Sequence, residues 1–241
     1  MALPSSGNPL SIAQIQGEFG GSNPASLSEY YSAHSSVPST GNAISISDFY
    51  GLSDVVNFTY ELIGGGGGGG HGFDGGAYGV TADSGGTSSI SGSGFSTATA
   101  SGGSGGRSGY FHPATNTAEK DGDASVYGAG GGRGPNTDPG HGYDAPSSSY
   151  GAGGGGGGGD LANNKWDSTG FAGEGGGAST RVTGSGTVAS GTTLTITIGG
   201  GGAGRFHGSY SGGDGAGGYA TITANGVTTP FTSSGTITLT G

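Results

Sequence analysis

The sequence contains no cysteine, few charged residues and no long apolar run. Without cysteine, the chain has no disulfide bridge, thiolate metal site or cysteine nucleophile. Only 6 of the 241 residues are Lys or Arg, and the formal net charge is −10. We therefore expect no nucleic-acid partner, because a phosphate backbone requires a basic surface. We also expect no membrane insertion, since no run approaches the roughly 20 apolar residues of a membrane span. We expect no secretion signal, since no basic segment precedes an apolar one.

Sequence patterns typical of enzymes are also missing. No lysine follows a glycine and no histidine precedes a glutamate, which excludes the phosphate-loop and zinc-protease motifs. Residues 102–106 match the nucleophile-elbow pattern, but such matches arise by chance in a glycine-rich chain. Glu119, Asp121 and Asp123 do not follow a calcium-hand register. We expect no catalytic residue, no cofactor and no metal ion.

Glycine is the residue that the sequence has in excess, with 64 copies. Runs of seven glycines occupy 64–70 and 153–159, and looser runs recur at 102–106, 128–134, 173–177, 199–204 and 212–218. Recurring runs of similar length are not typical of linkers, and the collagen period is absent. They favour extended threefold helices that hydrogen-bond to one another, although a linker interpretation stays open at this stage.

The first 52 residues contain an internal repeat. Residues 3–17 resemble residues 37–51, and both copies begin with a Pro-Ser-Ser/Thr-Gly-Asn turn after an apolar residue. A serine precedes Gln14, Glu29 and Asp48 by three residues, which is the spacing of a capping box. This pattern predicts three short helices.

Alternating apolar residues predict strands at 54–63, 192–198 and 236–240. The Asn225-Gly226 pair predicts a type I′ hairpin, with Pro230 confining the second arm to a sheet edge. The predicted fold class is a small N-terminal module of short helices, residues 1–52, followed by a glycine-rich body, residues 53–241. The body is expected to consist of packed polyglycine-type threefold helices with short antiparallel β-strands and little hydrophobic core.

The N-terminal motifs Leu-Pro-Ser-Ser-Gly, Ser-Leu-Ser-Glu-Tyr-Tyr and Ile-Ser-Ile-Ser-Asp-Phe-Tyr-Gly resemble a short module at the start of phage tail and baseplate-associated proteins. The strand that enters polyglycine at 60–70, and Thr-Ile-Thr-Ile-Gly-Gly-Gly-Gly at 195–202, resemble the glycine-rich domain of tail fibre proteins. The plan is similar to that of the receptor-binding adhesin at the tip of phage long tail fibres. The resemblance implies a non-enzymatic virion protein in the tail that acts at the host cell surface.

That resemblance also implies partners and sites. The partners would be other phage tail or baseplate proteins and a host cell-surface glycan or outer-membrane protein; a homo-oligomer stays open. Polar and aromatic inserts between the glycine runs are the expected receptor-binding residues: Tyr110, Phe111, His112, His141, Tyr143, Lys165, Trp166, Phe206, His207 and Tyr210. The repeat supplies the expected tail-docking residues: Leu10, Ile12, Ile15, Tyr30, Tyr31, Ile44, Ile46, Phe49 and Tyr50. Alternatives are a purely structural tail, baseplate or fibre cap protein, and an ice-binding protein with a flat threonine-rich face.

Overall fold

The computed structural model describes residues 3–34, 36–52, 54–71, 80–108, 122, 124–131, 142–154, 173–207 and 210–240. Within these residues there is one α-helix, α1 (Ile12–Phe19), and two single-turn 3-10 helices at Leu27–Tyr30 and Ile46–Phe49. Ser11 caps α1, because its side chain accepts from the Gln14 N–H while the Gln14 side chain accepts from the Ser11 N–H. The predicted capping box of α1 is therefore confirmed.

The repeat appears as two matching turns. Asn8 donates its side-chain amide to the carbonyl of Ser5, and Asn42 donates in the same way to Ser39. Gly7 in the first turn and Gly41 in the second have φ values of +94° and +96°, which residues with a side chain rarely adopt. The N–H of Leu3 then donates to the carbonyl of Leu52 at 2.8 Å, so the segment closes on itself.

The rest of the described chain contains ten β-strands: β1 (Val55–Ile63), β2 (Ser88–Gly92), β3 (Phe95–Ala100), β4 (Arg181–Ala189), β5 (Thr192–Thr197), β6 (Phe206–His207), β7 (Tyr210–Ser211), β8 (Tyr219–Ala224), β9 (Val227–Phe231) and β10 (Gly235–Leu239). Sheet I has the order β4-β1-β8-β9 and sheet II the order β10-β5-β2-β3, and all pairings are antiparallel. β6 and β7 form a separate two-stranded ribbon. The type I′ hairpin is confirmed, since Asn225 and Gly226 both have positive φ and β9 is an edge strand.

Sheets I and II pack face to face around one apolar core. Leu62 of β1, Ile222 of β8, Ile90 of β2 and Leu194 of β5 are each 0 % exposed and belong to the same buried cluster. Along β5 and the first part of β1, exposed residues alternate with buried ones, which gives the expected period of two. Burial of these side chains is the main favourable term for this part of the chain.

The predicted fold class is wrong. The N-terminal segment is not a helical module, because α1, with eight residues, is the only α-helix among residues 3–34 and 36–52. The described strands form two four-stranded antiparallel sheets with a shared apolar core, so the expectation of little hydrophobic core is wrong. The apolar content of any single segment does not reveal this core, since its strands come from distant parts of the chain.

Glycine-rich segments continue the strands beyond the sheets and form what we call the glycine layer: residues 64–71, 80–87, 101–108, 151–154, 173–180, 199–205 and 212–218. Gly64 to Gly70 are all buried at its centre. Successive N–H groups donate to three neighbouring segments in turn, so every third residue bonds to the same segment. Gly64, Gly67 and Gly70, for example, donate to the carbonyls of Thr180, Gly177 and Glu174. These segments are not linkers, because their backbone groups are paired inside the protein.

The N-terminal segment and the glycine layer lie at opposite ends of β1. Asp54, just before β1, accepts from the Ser190 N–H and donates to Glu18 in α1. Ile63, the last residue of β1, leads directly into Gly64. Nine strand residues separate these points, which corresponds to about 30 Å at ~3.3 Å per residue.

Candidate functional site

The end of the glycine layer remote from the sheets, here called the distal end, is the first candidate site. It carries His71, Ser108, Gly173 and the β6-β7 ribbon, because the segments that leave the sheets side by side arrive there together. The Ser108 N–H donates to the carbonyl of Val80 at 2.8 Å, and the Glu174 N–H donates to the carbonyl of Arg107 at 2.8 Å. Adjacent segments are thus held in register up to this end.

Two predicted receptor-binding residues are exposed at the distal end. Phe206 is 70 % exposed and Tyr143 is 63 % exposed. Phe206 pairs with Ser211 across the ribbon, and the carbonyl of Ser211 accepts from the Gly142 N–H at 2.7 Å. The segment that contains Ser211 therefore lies between the backbones that carry Phe206 and Tyr143.

Of the other eight predicted receptor-binding residues, the structure describes the backbone of two. Tyr110, Phe111, His112, His141, Lys165 and Trp166 lie outside the described residues. His207 and Tyr210 pair as backbone in the ribbon, and their side chains lie outside the description. Ser108 and Gly173, which border two of the undescribed stretches, lie at the distal end.

Carboxylates at the distal end are committed to backbone amides. Asp214 accepts from the Gly204 N–H at 2.7 Å, and Asp144 accepts from the Asp214 N–H at 2.8 Å. Among the described residues there is no group of three or more His, Asp or Glu side chains able to hold a metal ion. The arrangement is chemically suited to contact recognition through exposed aromatic rings.

The predicted tail-docking residues divide into a buried and an exposed set. Ile15, Tyr30 and Phe49 form the core of the N-terminal segment with Leu3 and Val37, so they are not available to a partner in this fold. Leu10, Ile12 and Ile44 pack against that core, and the Tyr31 hydroxyl donates to the carbonyl of Asn42. Tyr50 is partly exposed, and Ile46 is 37 % exposed.

A second candidate site, which the sequence analysis missed, is the tyrosine cluster of Tyr127, Tyr150 and Tyr219. The rings of Tyr150 and Tyr219 are stacked with centroids 4.5 Å apart and planes within 9°. Tyr127 packs edge-on to both, at 5.6 Å and 5.3 Å. Tyr150 precedes Gly151 and Tyr219 follows Gly218, so aromatic residues at the borders of glycine runs were the available indication.

The tyrosine cluster is joined to an ion pair on the outer face of sheet I. Tyr127 donates its hydroxyl to Oε2 of Glu61 at 3.1 Å, while Nε of Arg181 donates to Oε1 at 2.6 Å. Burial and the hydrogen bond to Glu61 raise the pKa of Tyr127 to about 12. Burial, with a smaller contribution from Tyr150, also raises the pKa of Tyr219.

Comparison with known proteins gives no assignment. No family model, no curated protein and no solved structure matches the chain. Among the described residues, no helix has the length and apolar character needed to cross a bilayer.

Proposed function

We propose that this chain is a non-enzymatic phage virion protein that belongs to the tail and binds a receptor on the host cell surface. The receptor is a cell-surface glycan or an outer-membrane protein. The N-terminal segment, residues 1–52, docks onto other tail or baseplate proteins, and the distal end of the glycine layer contacts the host.

The observation that carries this proposal is the separation of the two ends. An adhesin needs an attachment surface and a recognition surface that can be engaged at the same time. Here the N-terminal segment closes on itself before β1, through the bond between Leu3 and Leu52. The exposed residues Tyr143 and Phe206 lie at the distal end of the glycine layer. Aromatic anchors on a rigid scaffold are a common form of recognition surface.

Removing each end separately tests the proposal. Phage carrying a chain that begins at residue 53 should lack this protein in purified particles, whereas the shortened purified chain should still bind host cells. Immunoelectron microscopy with an antibody against the glycine-rich body locates the full-length protein on the virion. Absence of label from the tail, or normal incorporation of the shortened chain, contradicts the docking assignment.

Substitution at the distal end tests the recognition part. The double variant Tyr143→Ser/Phe206→Ser should reduce adsorption to host cells by about tenfold or more, with unchanged assembly and melting temperature. Val227→Ser is the matched control, because Val227 is 67 % exposed but lies on the β8-β9 hairpin. Unchanged adsorption in the double variant would favour the alternative of a purely structural cap protein.

Ice binding is a second candidate function, and the outer face of sheet II favours it. The outward residues of its paired strands are hydroxyl-bearing, without charge, and in register across the sheet: Thr193, Thr195 and Thr197 on β5, Thr236 and Thr238 on β10, Ser89 and Ser91 on β2, and Thr99 on β3. Such rows repeat at about 4.8 Å between strands. Inhibition of ice recrystallisation that is abolished by Thr195→Tyr would support this function, and no inhibition would exclude it.

A further inference from the structure

We propose that the tyrosine cluster, together with the Glu61 and Arg181 pair, is a binding site for a neutral sugar ring. The site lies where sheet I meets the glycine layer, because Tyr219 and Arg181 both pair with Ile63 in the last row of the sheet. It is therefore on the side of the protein and separate from the distal end. Measured on the purified chain, sugar binding at this site does not depend on a location in the virion.

The aromatic part of the site is preorganised. Each of the three tyrosine rings contacts the other two, with centroid separations between 4.5 Å and 5.6 Å. Tyr127 is nevertheless 39 % exposed and the neighbouring Val126 is 64 % exposed. An aromatic surface that is already ordered loses little conformational entropy when a ligand binds. Its apolar area suits the C–H face of a pyranose ring.

Polar groups beside the rings remain available for sugar hydroxyls. Arg181 uses Nε for Glu61, and its side chain is 51 % exposed. Tyr150 and Tyr219 are both partly exposed, and their hydroxyls form no hydrogen bond with another described residue. The site thus offers guanidinium and phenol donors, and phenol oxygens as acceptors, next to an apolar surface. A ligand with one apolar face and several hydroxyls fits this combination.

The electrostatics favour an uncharged ligand. Glu61 balances the charge of Arg181 within the site. The whole chain carries a formal charge of −10, which disfavours sialic or uronic acids at long range. A neutral hexose, at the end of a chain or within it, is the chemical class that we assign.

Ligand-observed NMR on the full purified chain tests the assignment. Saturation-transfer measurements would use glucose-, galactose- and mannose-containing oligosaccharides, with a sialylated oligosaccharide for comparison. We expect at least one neutral oligosaccharide to bind, with a preference over the sialylated one. Tyr127→Ala should weaken that binding by about tenfold or more. Arg181→Met, which keeps an apolar stem but removes the donors, should weaken it as well.

Two further variants make the result decisive. Tyr127→Phe keeps the ring and removes only the bond to Glu61, so it should bind more tightly than Tyr127→Ala. Val227→Ser, at the opposite end of the β8-β9 hairpin from Tyr219, should bind as the parent does. If Tyr127→Ala does not fold, Arg181→Met and Tyr127→Phe carry the comparison. The proposal is overturned by absence of binding to every neutral oligosaccharide, by preference for the sialylated one, by binding that Arg181→Met leaves unchanged, or by binding to a protein receptor alone.

Discussion

A Cβ atom on Gly67 would lie 1.9 Å from the carbonyl oxygen of Ser104, in an adjacent segment of the glycine layer. The oxygen and carbon of this carbonyl are backbone atoms, so they cannot rotate away as a side chain would. The close approach of segments in this layer therefore depends on the absence of a side chain at Gly67.

This relationship predicts the effect of adding one methyl group. Gly67→Ala should lower the free energy of unfolding by several kcal/mol, since the adjacent segment must shift and hydrogen bonds worth about 1 kcal/mol each are lost. Gly200→Ala is the matched control, because a Cβ at Gly200 would meet no atom within 4 Å. Chemical denaturation measures both variants. Equal stability of the two would contradict the close packing described here.

The alkaline stability of the protein should report on Tyr127. Its pKa is raised to about 12, whereas an unfolded tyrosine titrates near 10. The folded protein therefore holds this phenolic proton more tightly. The resulting contribution to stability is present below pH 10 and is lost as the pH rises from about 10 to about 12.

The measurement compares the parent with Tyr127→Phe between these pH values. Ultraviolet absorbance of phenolate should show one tyrosine fewer titrating late in the variant. The free energy of unfolding of the parent should fall more steeply with pH in this window than that of the variant. If the tyrosine that is missing from the variant is instead one that titrates near pH 10, Tyr127 is not the shifted group.

Loss of the α1 cap should destabilise the N-terminal segment. Ser11→Ala removes the acceptor for the Gln14 N–H and should cost about 1 kcal/mol. Gly17→Ala should act in the opposite direction by up to about 1 kcal/mol, because Gly17 is within α1 and a Cβ there meets no atom within 4 Å. Thermal unfolding followed by circular dichroism can measure both. A Ser11→Ala protein with the same melting temperature as the parent would show that the capping box contributes nothing to stability.

The two sets of docking residues should respond differently to substitution. Phe49→Ala should destabilise the protein by about 3–5 kcal/mol, since Phe49 is 0 % exposed and contacts the rings of Phe19 and Tyr30. Ile46→Ser should leave stability nearly unchanged and, under the proposed function, reduce incorporation into particles. Quantitative immunoblotting of purified virions beside melting curves separates these effects. Normal incorporation of Ile46→Ser would move the docking surface elsewhere on the segment.

Sequence periodicity was sufficient for the strands that alternate clearly. β1 and β5 agree with their predicted ranges within one or two residues, and the Asn225-Gly226 turn has the expected positive φ at both residues. β2, β3 and β4 were missed because Ser, Thr, Gly and Ala predominate in them, and such strands carry little hydrophobic periodicity. β4 pairs with β1 and β2 pairs with β5 through residues far apart in the chain, whereas β3 pairs with its sequence neighbour β2.

The candidate sites likewise include features that the sequence indicates and features that only the fold brings together. Exposure of Tyr143 and Phe206 follows from polar inserts in a chain with little apolar material to cover them. Tyrosines beside glycine runs could be noticed in the sequence, but their assembly with Glu61 and Arg181 could not be inferred, because the register of β1 with β4 and β8 brings Glu61, Arg181 and Tyr219 together. The buried part of the docking set has a similar origin. Ile15, Tyr30 and Phe49 face inward because the segment closes on itself.

The hydrogen bonding of residues 64–70 restricts how the chain can change in length. Because each neighbouring segment is met again only at every third residue, losing one glycine would direct every later amide in the run at the wrong partner. Losing or gaining three glycines in one segment, with its neighbours adjusted at the distal end, would restore the pairing. Segments of this layer should therefore change in length by multiples of three residues. Single-residue insertions are expected in the connections beyond the layer.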